Sequence, residues 1–539
     1  MTESNSTRRR RPRRSLRAPA AVAVVILAGL AFGGGYAIGH RSGGSAGTSI
    51  AGIAGSGPTA TTTVVHGGST ILSIGGGTTE PPPKGAGTAS IATTKRPNIV
   101  LILTDDQRFD TLWAMPQVQS LLVDHGITFK NAFVTNSFCC PSRATILTGN
   151  FSHTTGIYGN VPPHGGAPDF RKYGDDRSTI ATWLQGAGYD TGLFGKYLND
   201  YGGPYIPPGW THWDTFNYAF RYYGFQAYTN SRAQCGGAPG CKVNYGKNQY
   251  STTVFGEAAA QFIRTAPAGK PLFVYYAPFA PHEPDVPATQ YANRFQNLPP
   301  WRPPNYDRVT PGQPAYIKDR APFTRRQVRL LAQFRRRQYA TLLSVDDEVG
   351  SIVDALRASH RLANTMIVFA SDNGLAWGAH RLPSAEKRIP YDEATRVPFV
   401  VRYDPMTSRP RTDSHLVVNI DWAPTFAALA GVSHPHVEGR SFLPLVQGTT
   451  VSPPWRTSFL LENWDGSPKT LAPTYCGIRS TRYLYVRYGT GEQELYDQLH
   501  DPFDLHNVAT SPAYAGVLAR NRAEMLRECR PPPPGYKLP

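Results

Sequence analysis

Residues 138–149 read FCCPSRATILTG. Pro141 suits the first turn of a helix and Gly149 suits its end, so Cys139 is expected at a helix N-terminus. Free N–H groups and the helix dipole favour anions there. Arg143 lies one turn further in and can grip an oxyanion through two donors. Adjacent cysteines seldom bridge each other, so Cys139 and Cys140 are read as thiols. Two other segments are rich in oxygen donors. Asp105-Asp106 follows the apolar run 98–103 (NIVLIL), and Ser371-Asp372-Asn373-Gly374 follows the run 365–370 (TMIVFA). Either segment alone reads more simply as a turn or a helix cap. Together, Asp105, Asp106, Asp372 and Asn373 place hard oxygen ligands at two strand ends, a set suited to Ca²⁺ or Mg²⁺. Asp346-Asp347 lies inside a helical pattern (LLSVDDEVGSIV) and is read as structural or solvated.

Such side chains need a frame that presents strand ends together. The continuous apolar run 98–103 suits a strand buried on both faces. Strands are expected at 191–194, 272–276, 365–370 and 397–401. Helices are expected at 178–185, ending at Gly186, and at 335–360. This alternation predicts an α/β sandwich with a large, mostly parallel central sheet, in which ligands collect beyond the carboxyl ends of strands. After Gly431, short strands near 481–488 and 494–496 and a helix near 514–527 predict a small α+β C-terminal subdomain. The expected division is therefore 1–41, 42–95, 96–430 and 431–539.

The first two divisions are not catalytic. Eight arginines and one glutamate fall in residues 1–41, which accounts for +7 of the formal net charge of +17. That basic run precedes the apolar stretch 18–39, the order of an export signal. The stretch is also long enough to span a bilayer, and the lack of a clear A-x-A site favours a retained anchor over a cleaved peptide. Arg13-Arg14-Ser15-Leu16-Arg17 resembles a twin-arginine signal; a generic basic flank is the alternative. Residues 42–95 are Gly, Ser, Thr, Ala and Pro with scarcely a charge, and read as a linker. The remaining excess of basic residues is mild. It suits an acidic substrate, and with no zinc-finger, RNP or basic-zipper pattern it gives no case for nucleic acid. Export permits disulfides. Cys235 and Cys241 flank a short Gly/Pro loop and can bridge, while pairing of Cys476 with Cys529 is open.

The string Cys139-x-Pro141-Ser142-Arg143 followed by Leu147-Thr148-Gly149 resembles the signature of the formylglycine-dependent sulfatases. Gly195-Lys196-Tyr197 resembles the family's Gly-Lys-aromatic element, and Pro281-His282-Glu283-Pro284 its Pro-His-x-Pro loop. Lys387, Tyr391-Asp392-Glu393 and Arg396-Val397-Pro398 resemble the stretch after the Asp-Asn-Gly turn. Leu495-Tyr496-Asp497, Asp501-Pro502 and Asn507 resemble the C-terminal pattern. The resemblance runs from about 96 to 507. It implies an alkaline-phosphatase-like fold and an exported hydrolase of sulfate esters. It also implies that a maturation enzyme converts Cys139 to formylglycine, and that Asp105, Asp106, Asp372, Asn373 and residue 139 hold calcium, or magnesium in its place. One hydroxyl of the hydrated aldehyde would attack sulfur, with Arg143, Lys196 and Lys387 balancing charge and His282 protonating the leaving alcohol. The second hydroxyl would then expel sulfate.

Cys139-Cys140-Pro141, the stretch 195–201 and Pro207-Pro208-Gly209-Trp210 are similar to glucosamine-6-sulfatases and extracellular endosulfatases, which implies a sulfated sugar, such as a glycosaminoglycan, as substrate. Trp210, Trp213 and the Tyr-rich stretch 218–228 are candidates to line a sugar site, although aromatics in this number more often serve the core. One position departs from the pattern: arylsulfatases commonly carry His two residues after the Lys, and here it is Leu198. Asn199 or His153 is the expected substitute. Arylsulfatase-type activity, a phosphodiesterase or phosphonate hydrolase of the same superfamily, and a non-catalytic glycan-binding relative are the competing readings.

Overall fold

The computed structural model describes residues 96–407, 409–466 and 471–539. The signal or anchor and the linker read from residues 1–95 lie outside the described residues. Among the described residues, no helix is long and apolar enough to cross a membrane.

Ten strands form one sheet: β1 (Asn98–Thr104), β2 (Ile127–Phe133), β3 (Asp190–Gly195), β4 (His212–Phe216), β5 (Gln226–Thr229), β6 (Cys241–Asn244), β7 (Leu272–Ala277), β8 (Thr365–Ser371), β9 (Phe399–Arg402) and β10 (Arg411–Val418). Their order is β10-β2-β9-β8-β1-β7-β3-β4-β5-β6. The central ladders β8-β1, β1-β7, β7-β3 and β3-β4 are parallel. The outer part is mixed, because β9 runs antiparallel to β8 and β2, and β5 runs antiparallel to β4 and β6.

Every residue of β1 is buried, and its alternate side chains enter different cores. Ile99, Leu101 and Leu103 pack with Leu147 and Ala144 of the helix Cys139–Thr148 and with Leu184 and Phe426 from neighbouring helices. Val100 and Ile102 pack with Phe255 of the helix Ser251–Thr265 and with Val345 and Val349 of the helix Arg325–Ala358. A strand covered on both faces needs apolar side chains at every position, which is why the run 98–103 lacks alternation. The long helix begins at Arg325, ten residues earlier than the apolar periodicity suggests. Thr324 caps it, with its hydroxyl accepting from Gln327 N and the Gln327 side chain accepting from Thr324 N. This reciprocal cap fixes the start independently of any buried face. Asp346 caps a different helix, accepting from Gln117 N at 2.9 Å and Val118 N at 2.8 Å, in keeping with the structural reading of that pair.

The second sheet contains β11 (Ser458–Asn463), β12 (Tyr475–Ser480), β13 (Tyr483–Tyr488) and β14 (Gln493–Asp497), all antiparallel. The helix Ala515–Glu528 covers it, and a disulfide joins Cys476 of β12 to Cys529. Cys235 and Cys241 form the second disulfide. The small sheet is fused to the large one: Phe133, Tyr391 and Val418 share an apolar cluster with Leu461, Leu484 and Tyr496.

Candidate active site

Four adjacent parallel strands, β8, β1, β7 and β3, end side by side. Asp372 and Asn373 leave β8, Asp105 and Asp106 leave β1, His282 sits on the turn after β7, and Lys196 is the first residue after β3. Gly195 makes the last placement possible. Its φ is +110°, and a Cβ there would lie 2.1 Å from the Ala277 carbonyl oxygen. That oxygen accepts from Lys196 N at 2.7 Å, so the backbone must approach this closely. The helix Cys139–Thr148, which follows β2 in the chain, delivers Cys139 and Arg143, and Gly149 ends it in the left-handed conformation at φ 75°.

These groups converge in a buried network. Lys387 Nζ lies 2.5 Å from Asp106 Oδ1 and 3.0 Å from Cys139 Sγ. Lys196 Nζ lies 2.5 Å from Asp105 Oδ2. Arg143 Nε donates to Asp372 Oδ2 at 2.8 Å, and Nη1 donates to the Lys196 carbonyl at 3.0 Å. His282 Nε2 is 3.5 Å from Asp106 Oδ2, and Cys139 Sγ is 3.5 Å from Asp105 Oδ1. Asn373 Nδ2 donates to Asp106 Oδ1 at 2.7 Å. Every residue assigned from the sequence to the metal or to the chemistry is therefore part of this network.

Electrostatics separate the groups. Burial disfavours charge on Asp105, but Lys196, His282, Arg143 and Lys387 outweigh it and hold the carboxyl far below its ordinary range. Burial, then the charge of Asp105, pushes Asp372 up to about 6 despite Arg143. Burial raises the Cys139 thiol to about 11 in spite of the nearby lysines, so as a plain thiol it stays protonated and is a weak nucleophile. Asp106 has φ 69°, a conformation that non-glycine residues adopt at a cost and that clusters at functional sites.

The donor set fits a hard cation. The ligand atoms of Asp105, Asp106, Cys139 and His282 lie within 4.8 Å of one another. Asn373 Oδ1 is buried and has no hydrogen-bond partner, which is costly unless something else engages it. Three buried carboxylates and an amide oxygen suit calcium or magnesium better than a softer ion.

The packing decides between the readings left open at these positions. Leu198 packs in the apolar core and supplies no polar group. His153 does not take its place: Nδ1 lies 3.0 Å from Glu462 Oε2 and Nε2 lies 3.2 Å from Glu438 Oε1, so both ring nitrogens are engaged away from Cys139. Trp210, Trp213, Tyr222 and Tyr228 are buried in the packed cores rather than along an open sugar site. Tyr218 differs, being 60% exposed with its ring against Gly202. Several supporting residues carry no local signal in the sequence. Tyr222 Oη donates to the His282 carbonyl at 2.6 Å, Gln338 Nε2 donates to the Pro281 carbonyl at 3.1 Å, and Asn160 Oδ1 accepts from Cys140 N at 2.9 Å.

His153 yields a prediction about stability. Burial opposes its charge, but the hydrogen bonds to Glu438 and Glu462 prevail and raise it from 6.5 to about 10. A group raised in the folded state contributes fully below its unfolded value and loses that contribution as pH rises through the folded one. The thermal midpoint of the wild type should thus fall as pH rises from about 6.5 towards about 10. In His153→Gln that part of the fall should be missing, as thermal melts across the range would show.

The sulfatase family model matches residues 97–432. The chain belongs to the sulfatase family. It is accordingly a sulfuric ester hydrolase. The N-sulphoglucosamine sulphohydrolase C-terminal model matches residues 378–530. The extracellular sulfatase SULF-1 homolog of Drosophila melanogaster is 35% identical over 381 residues, covering 69% of this chain and only 33% of that protein. The N-acetylglucosamine-6-sulfatase of Homo sapiens is 30% identical over 499 residues, covering 83% and 89%. A solved sulfatase-fold structure, described as a complex with its substrate D-glucosamine-2-N,6-O-disulfate, superposes with a TM-score of 0.68 at 24% identity over 81% of this chain and 98% of that one. The phosphonate monoester hydrolase of Agrobacterium radiobacter superposes with a TM-score of 0.63 at 22% identity over 80% and 95%. At these identities both structures speak for the fold alone.

Proposed function

We propose that the chain hydrolyses 6-O-sulfate esters on glucosamine-type sugars outside the cytoplasm, with calcium bound and Cys139 converted to formylglycine by a separate maturation enzyme. The observation that carries the substrate is the match to N-acetylglucosamine-6-sulfatases over most of their length as well as most of this chain. The basic run and apolar stretch before residue 42, two disulfides, and relatives named as extracellular support export.

Asp105, Asp106, Asp372 and Asn373 would hold the calcium, which supplies positive charge against the sulfuryl oxygens. Formylglycine at 139 supplies an oxygen nucleophile where the buried thiol cannot act as one. The chain's own residues do the rest. Arg143 Nη2 is buried and makes no hydrogen bond, its nearest carboxylate being Asp105 Oδ2 at 4.0 Å, although Nε and Nη1 are both engaged. It is therefore a spare donor for an oxyanion. Lys387, at 3.0 Å from the Cys139 sulfur, and Lys196, on the far side of Asp105, balance charge next to the reacting atom. His282 Nδ1 is 2.6 Å from the Glu283 carbonyl oxygen, which it meets as a donor, leaving Nε2 turned towards the site. A proton held on Nε2 can pass to the departing alcohol oxygen.

The phosphonate hydrolase reading rests on fold alone. Steady-state kinetics decide among the readings. We expect kcat/KM for glucosamine 6-sulfate to exceed that for a simple aryl sulfate, in line with the relatives matched over most of their length; a site that pairs sugar hydroxyls rejects substrates that lack them. A higher value on the aryl ester, without turnover of the sugar, would overturn the substrate assignment. A higher value on a phosphonate ester would overturn the choice of ester.

A further inference from the structure

The first turns of the helix Arg325–Ala358 carry Arg325, Arg326, Arg329, Arg335, Arg336 and Arg337, and no acidic residue follows until Asp346. Beside this run is a groove of about 160 Å³, lined by Arg294, Gln296, Gln333, Arg336 and Arg337 among others. Arg337 has a partner: its Nε and Nη2 donate to Asp285 at 2.8 and 3.2 Å. Arg294 and Arg336 form no ion pair with any described carboxylate, yet they share a concave surface. Like charges gathered without counter-charges cost free energy that a bound anion would recover.

The groove is also tied to the catalytic loop. Asp285 N donates to the His282 carbonyl at 3.0 Å, and Asp285 itself is buried under Arg337. One side of the groove therefore rests on the turn that presents His282.

We infer that this groove is a second binding site, for a sulfate or carboxylate group on a neighbouring sugar of a polyanionic glycan whose scissile ester occupies the active site. Guanidinium forks match such anions in paired hydrogen bonds. Gln296 and Gln333 can pair sugar hydroxyls or bridge to them through water. The inference rests on the sulfated-sugar reading above and extends it from a single sugar to a chain. A nucleic acid would satisfy the charge equally well, but the link to the His282 turn favours the enzyme's own substrate.

The test compares wild type with the double variant Arg294→Ala/Arg336→Ala, which touches no residue assigned to the chemistry. For a sulfated hexasaccharide, KM should rise about tenfold at low salt while kcat holds, the scale expected for losing two partly exposed charge contacts. For the monosaccharide 6-sulfate both constants should be unchanged. An unmoved hexasaccharide KM, or an equal loss on both substrates, would overturn the inference and leave the sulfatase reading intact. A binding arm needs no turnover. Cys139→Ala protein should bind the sulfated hexasaccharide more weakly when the two arginines are also replaced. Equal binding, or tighter binding to single-stranded DNA than to the hexasaccharide, would count against the glycan site even if the wild type turned over neither sugar.

Discussion

Cys139→Ala should reduce turnover of sulfate esters by a factor on the order of 10⁴ or more, the scale seen when a covalent nucleophile is removed. The fold should survive. Cys139 makes no disulfide, its Sγ hydrogen-bonds only to Lys387 and Asp105 among the described residues, and alanine is tolerated at the second residue before Pro141 in a helical first turn. Circular dichroism and a thermal melt within a few degrees of wild type would separate lost chemistry from lost structure. Cys140→Ala is the matched control. Its thiol lies in the apolar core, pushed up to about 12 by burial, and no role in the chemistry is assigned to it. Activity that survives in Cys139→Ala would end the assignment of the nucleophile.

Removing the metal should cost nearly as much. A bound divalent ion contributes several kcal/mol of charge stabilisation, so chelation should reduce kcat by about a thousandfold or more. The choice of variant matters. Asp372→Ala would leave the buried Arg143 guanidinium without its 2.8 Å partner, and an unpaired buried charge is strongly destabilising. Asp372→Asn and Asp106→Asn keep the shape and part of the hydrogen bonding. Both should lower calcium content, read by elemental analysis on folded protein, along with activity. Full activity in chelated protein of verified low metal content would contradict the role given to these carboxylates.

What could be read in advance follows from range along the chain. The central strands were legible because burial on both faces writes a continuous apolar run, and the strand ends then pointed to Asp105 and Asp372. The helix from Cys139 was legible because Pro141 and Gly149 bracket it. Lys196 and His282 were a different matter: Lys196 directly follows β3 and His282 lies on the turn beyond β7, and only the resemblance singled them out. The start at Arg325 had a local signal, Thr324 with Gln327, which apolar periodicity alone does not see. The antiparallel direction of β9 and the edge hairpin β5-β6 follow from sheet pairing rather than from local composition. His153 was misread for the same reason, since its partners Glu438 and Glu462 are 285 and 309 residues away. The aromatics near 210–228 were ambiguous from type alone. Only the packing shows that Trp210 and Trp213 serve the core.

Mass spectrometry of the tryptic peptide that ends at Arg143, taken from protein of measured specific activity, tests the account most directly. The account predicts an aldehyde or its hydrate at position 139 with Cys140 an intact thiol, and a modified fraction that rises in proportion to activity across preparations. Fully active protein with an unmodified cysteine at 139 would contradict it.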